Sequence, residues 1–109
     1  MIRIRIHGSP DRIEGFMIWG HAGFAPRDMD IVCAGVSAIS TTAILGLTNL
    51  VPGSVRYGIL PQGLIYCRVN GKRTGAGARE AQAILAAAAH GLQAIQDSYS
   101  AYIDFAYRR

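Results

Sequence analysis

A histidine and a cysteine twelve positions apart, His21 and Cys33, form the one pair in this chain whose types and spacing suit nucleophilic catalysis. An imidazole that takes the thiol proton leaves a thiolate able to attack a carbonyl carbon. Asp28 and Asp30 both have helix N-cap side chains, and an uncharged run rich in Ala, Ile and Val follows them. With Asp30 as the cap, Cys33 falls in the first helical turn. The unpaired N–H groups and helix dipole there favour a thiolate and offer donors to an oxyanion, while the charge of Asp30 opposes the thiolate.

Each residue also has a plainer use. A cysteine in an Ala-rich helix serves as packing, and a histidine beside glycines serves as a turn residue. Asp30 either caps the helix or orients His21. Ser37, one turn beyond Cys33, lines the same face or bonds back to its own helix. His21, Cys33 and the two aspartates lack the tight paired spacing of a structural zinc site, so no metal is expected. Cys67, between Tyr66 and Arg68 with no base beside it, reads as structural, and His7 and His90 read as solvated. The stretch Gly71-Lys72-Arg73-Thr74-Gly75-Ala76-Gly77 brings glycines and cations to a helix entry. A P-loop instead places its Lys after the glycines and directly before Ser or Thr.

The elements that must position the pair follow from periodicity. Ile2, Ile4 and Ile6 alternate with Arg3, Arg5 and His7, as in a half-buried strand. Ser9-Pro10-Asp11 turns the chain into a second strand, Arg12 to Gly20, whose run Phe16-Met17-Ile18-Trp19 suggests cover on both faces. His21 lies just past its end, and Ala22 to Met29 forms a connection able to move over a site. The first helix should run from about Ile31 to about Leu50 and stop before Pro52-Gly53. Ser54–Leu60 and Leu64–Asn70 read as two more strands. A last helix carries Ala81, Ile84, Leu85, Ala88, Leu92, Ile95 and Tyr99 on one face towards Tyr102, with Gly91 as an interruption and Tyr107-Arg108-Arg109 as a tail. The expected fold is α+β: two β-hairpins each followed by a helix, with a four-stranded sheet and helices packed on one face.

At 109 residues the chain is long enough for one domain, residues 1–109, with its own core. Half the residues are hydrophobic, which excludes disorder, and the net charge of +4 comes from Lys and Arg scattered along the chain. Scattered cations imply solubility more than direct binding of nucleic acid. The uncharged run Ile31 to Val51 is long enough to span a bilayer, but its Ser, Thr and Asn residues fit a helix covered within a soluble fold, so no membrane association is expected. Met1 to Gly8 has no signal-peptide core, which points to a reduced, cytoplasmic protein. So apolar a first helix also suggests cover from a second subunit.

Gly20-His21-Ala22, the step from His21 to Cys33, and Asp30-Ile31-Val32-Cys33-Ala34-Gly35-Val36-Ser37 closely resemble the ribosomal-processing cysteine protease Prp family, and the resemblance extends over essentially the whole chain. It implies a cytoplasmic, homodimeric cysteine endopeptidase that needs no cofactor and removes the N-terminal extension of a large-subunit ribosomal protein. The family's nucleophile matches Cys33 and its base His21. Asp30 and Ser37 match acidic and hydroxyl positions of the same motif, and the family's mobile loop corresponds to Ala22 to Met29. The substrate segment is then apolar, containing Phe, and lies between the loop and the helix start. One departure stands at Asp28, where the family commonly has Gly. The alternatives are a non-catalytic ribosome- or RNA-associated module and a dimerisation domain, in neither of which Cys33 would matter.

Overall fold

A computed structural model of the chain describes residues 1–26, 30–70, 75 and 77–109. Asp28 and most of the glycine-rich stretch 71–77 lie outside the described residues. The elements run β1 (Ile2–Ser9), β2 (Arg12–Trp19), α1 (Ile31–Leu50), β3 (Val55–Ile59), β4 (Ile65–Val69), α2 (Ala78–Ser98), a 3₁₀ turn (Ser100–Tyr102) and β5 (Ile103–Arg108).

The sheet has five strands, in the order β3-β4-β2-β1-β5. The expected sheet of four is therefore corrected by one strand. The residues after Tyr102 are not a tail: they run parallel to β1, with Ile2 opposite Ile103 and Ile6 opposite Tyr107. The other three pairings are antiparallel, which makes the sheet mixed. The alternation Ile103, Phe105, Tyr107 is a strand pattern that closes the sheet beside the first strand of the chain.

The buried residues of the strands share one face. Ile2, Ile4 and Ile6 of β1, Phe16 and Ile18 of β2, Ile65 and Cys67 of β4 and Ile103 of β5 join Val32, Val36, Ile44 and Leu47 of α1 and Leu85 and Leu92 of α2 in a single core. The second strand is covered on this face alone, since Met17 is exposed and Trp19 half-buried. Its run is continuously apolar because the open-face residues Met17 and Trp19 are themselves apolar; further back along the strand, the register between β1 and β2 shifts in a bulge at His7 and Gly8. From α2, Gln82 donates to the Ile13 carbonyl and accepts from the Ile13 N–H, satisfying backbone that the shifted ladder leaves free.

α2 continues through Gly91 without a break. The glycine serves the packing of the helices: a Cβ there would stand 3.1 Å from Ile39 of α1. Among the described residues α1 is the one helix long and apolar enough to cross a membrane by length and composition, and in this fold its inner side packs on the sheet and α2. Among the described residues the other face of the sheet carries no helix. It collects basic side chains that are far apart in sequence, because Arg3, Arg5 and His7 of β1 share it with Arg68 of β4, Arg56 of β3 and Arg108 of β5. Five arginines that are scattered in the sequence thus gather on one face.

Candidate active site

The site forms where the end of β2 meets the start of α1, and Asp30 joins the two. Its side chain is 5% exposed and extended backbone angles place it as the N-cap. Oδ1 accepts from the N–H groups of Val32 (3.0 Å) and Cys33 (3.1 Å), and Oδ2 accepts from Phe24 N–H (3.2 Å). Burial acts to raise its carboxyl, but the N–H donors of Cys33, Phe24 and Val32 outweigh it and hold the group below the usual carboxylate range. Asp30 is a cap that also ties the connecting loop to the helix. No hydrogen bond from it to His21 is present among the described residues.

Cys33 is half-buried in the first turn of α1, and its sulfur accepts from the backbone N–H of Ala22 at 3.4 Å. Burial is the main cause that pushes the thiol up. The Ala22 N–H opposes it, and the charge of Asp30 and its interaction with the thiol add to the rise. Cys33 therefore rests as a thiol, which becomes nucleophilic only when a base takes its proton. The N–H groups expected free at this helix start are engaged by Asp30. The backbone donor that reaches the sulfur comes instead from Ala22.

His21 is exposed and follows Gly20 at the end of β2. The turn between β3 and β4 lies against its ring, tightened by bonds from Leu60 N–H to the Leu64 carbonyl (2.8 Å) and from Gly63 N–H to the Leu60 carbonyl (3.0 Å). Gly63 has φ +94°, which L side chains rarely adopt, and a Cβ there would come 3.6 Å from His21 Cε1.

His21, Asp30, Cys33 and Ser37 all line one cavity of about 370 Å³. Its apolar wall is Ile2, Ile18, Ile59, Leu60 and Ile65, contributed by β1, β2, the β3–β4 hairpin and its turn. These wall residues are invisible to a motif, because they come from strands and a turn distant in sequence; the one local signal is that each lies at or beside a strand end. Ser37 is exposed at the cavity, and Ser40 is the hydroxyl that bonds back within the helix, to the Val36 carbonyl at 2.8 Å. Phe24, in the connecting loop, meets Tyr99 and Tyr102 edge to face at 5.5 and 5.3 Å.

Cys67 behaves differently. It is buried under the helices, where burial pushes its thiol up to about 12 despite a Phe16 backbone N–H. Neither cysteine is in a disulfide. Among the described residues no three His, Cys, Asp or Glu side chains converge as a metal site would need.

Comparison with known proteins bears on this arrangement directly. The family model of the cysteine protease Prp matches residues 1–104. The structure is similar to that of the essential ribosomal processing protease Prp from S. aureus in complex with a covalently linked product peptide, with a TM-score of 0.84 and 25% identity, covering 99% of this chain and 100% of that one. The same S. aureus protease in complex with a substrate peptide gives a TM-score of 0.79 at 25% identity, again covering 99% and 100%. SMU.848 from Streptococcus mutans shares the fold, with a TM-score of 0.76 at 21% identity over 98% of this chain and 93% of that one. A search of curated protein sequences returned no match. With nearly its whole length matched, this chain belongs to the cysteine protease Prp family.

Proposed function

We propose that this chain is the endopeptidase that removes a short N-terminal extension from a large-subunit ribosomal protein, with Cys33 as nucleophile and His21 as general base. The observation that carries the reading is that both side chains border the same apolar-walled cavity. His21 takes the Cys33 proton as sulfur bonds to the peptide carbonyl carbon. The imidazolium returns that proton to the departing amine as the C–N bond breaks, and water, activated by the same imidazole, hydrolyses the thioester. The Ala22 N–H, already directed at the sulfur, is placed to donate to the oxyanion that forms beside it. Asp30 holds the helix start and the loop in register for this chemistry, and Ser37 borders the bound peptide.

The wall of isoleucines and Leu60 suits an apolar substrate segment containing an aromatic residue, which a cavity of this size accepts. That fits the S. aureus relative, which was captured with a substrate peptide and with a covalently linked product peptide. A ribosomal substrate is itself basic, so recognition by apolar pockets is consistent with the positive charge of this chain. The test is incubation with a peptide spanning such an extension. Cleavage that disappears in both Cys33→Ala and His21→Ala supports the reading, and cleavage that survives Cys33→Ala overturns it.

The same reading makes the protein a cytoplasmic homodimer. A catalytic thiol stays reduced in the cytoplasm. Support for the dimer comes from the outer side of α1, where Ile31, Leu45 and Leu50 are 58%, 56% and 67% exposed, and from an apolar groove of about 450 Å³ between α1 and α2. Sedimentation should give twice the 11.7 kDa chain mass, and Leu45→Arg should shift it towards the monomer.

A further inference from the structure

The open face of the sheet holds a row of basic side chains across its width, three arginines and a histidine. At one level of the register the pairs are Arg56↔Arg68, Arg68↔Gly15, Gly15↔His7 and His7↔Arg108, so a single line crosses all five strands. At about 4.8 Å between strands the row is about 19 Å long. Arg56, Arg68 and Arg108 are exposed. Burial and the nearby Arg68 both press His7 below its ordinary value, with Glu14 opposing, so the positive field is felt at the middle of the row.

Aromatic and further basic side chains stand beside this row. Tyr66 pairs with Met17, and Met17 with Arg5; Trp19 pairs with Arg3. Arg5 lies 5.7 Å from the centre of the Trp19 ring. Tyr66 lies down on β3, where a Cβ at Gly58 would come within 2.5 Å of its ring. Among the described residues the acidic groups near this face are Glu14 at the bulge and Asp104, which pairs with Arg5 at 2.8 Å and Arg3 at 3.6 Å. These two carboxylates face five arginines, so the face is strongly positive.

We propose that this open sheet face binds single-stranded RNA, its arginine row holding phosphates and Trp19 and Tyr66 stacking bases. An open sheet with flat aromatic groups beside cations matches what an unpaired strand offers: bases with free π-faces on a backbone of regular negative charge. A second copy of this chain is repelled by the same arginines, which would meet like charge. A double helix shields its bases and leaves the aromatic residues without a use. The face is separate from the cavity but joined to it through β2, whose end carries Trp19 on one side and leads to His21.

Trp19 is the only tryptophan in the chain, so its fluorescence reports stacking directly. The test is titration of the full chain with a single-stranded RNA of about 12 nucleotides, following Trp19 quenching and the anisotropy of labelled RNA from 50 to 200 mM salt. Saturable quenching is expected. In Arg56→Ala/Arg68→Ala, affinity should fall at least tenfold and the log–log salt slope should flatten by about 1.4, for two lost phosphate contacts. Trp19→Ala should weaken the single strand more than a duplex of the same length. Unchanged melting temperatures would show that the exposed Arg56→Ala/Arg68→Ala substitutions and the half-buried Trp19→Ala leave the fold intact. Absence of binding at 50 mM salt, or an undiminished slope in the double variant, overturns the proposal. Displacement of RNA by polyglutamate at equal charge would also overturn it, in favour of an acidic protein partner.

Discussion

The two faces of the sheet are built from alternate residues of the same strands, yet they do unrelated work. On the covered face Ile2, Ile4, Ile6, Phe16 and Ile18 pack beneath the helices, and at one end of it Ile2 and Ile18 become the wall of the cavity beside Cys33. On the open face the intervening residues, Arg3, Arg5, His7, Met17 and Trp19, meet solvent or one another. Alternation is a property of the pleated chain, so one strand contributes to a core and to a surface at no geometric cost. The two cysteines make the same contrast at smaller scale. Cys67 is sealed within the covered face, whereas Cys33 stands at its margin with Ala22 N–H directed at the sulfur.

That contrast is broken most sharply at the cysteines. Cys33→Ala should lower cleavage of the substrate peptide by at least about a thousandfold, whereas Cys67→Ala should leave turnover near normal and act on stability. In the native protein iodoacetamide should modify Cys33 and spare Cys67, with mass spectrometry locating the label. The next largest effect compares the faces themselves. Ile4 is fully buried, and Ile4→Ala should cost about 2–5 kcal/mol in urea denaturation. Its exposed neighbour Arg3 should cost less than about 0.5 kcal/mol when replaced by Ala.

Asp30 tests how the margin of the site is tuned. Its charge helps to raise the Cys33 thiol, so Asp30→Asn, which keeps a capping side chain, should move the pH profile of Cys33 alkylation to lower pH. The same variant changes acid stability. Because the folded carboxyl lies below the ordinary 3.8, its contribution is complete above that value and is lost as pH falls through the folded one. Melting curves of the wild type and Asp30→Asn should therefore converge in acid. The smallest effect belongs to the open face, where Asp104→Ala removes partly exposed ion pairs with Arg3 and Arg5 and should change stability by less than about 1 kcal/mol.

Much of this was readable locally. The span of α1, its cap at Asp30 and the placement of Cys33 in the first turn depend on residues a few positions apart, as do the first four strands. The fifth strand reads locally as a tail after the last helix because its partner is β1, about a hundred residues away. Gly91 was read as a weakness because its use lies in Ile39 of another helix. Gln82 carries no local signal of its use, which is to complete the backbone at Ile13 of another element. Likewise the cavity wall has no motif, since five residues from β1, β2 and the β3–β4 hairpin assemble it.

By itself the sequence determined the periodicities, the cap and a histidine–cysteine pair carried on a motif of its family, because these arise from neighbours along the chain. Only the tertiary structure decided that Asp30 engages the N–H groups of the helix start and that Ala22 N–H faces the sulfur. It also decided that Arg56, Arg68 and Arg108, far apart in the chain, meet in one row with His7. Strand order and register set those relations, and both come from pairings between residues that chain proximity does not connect.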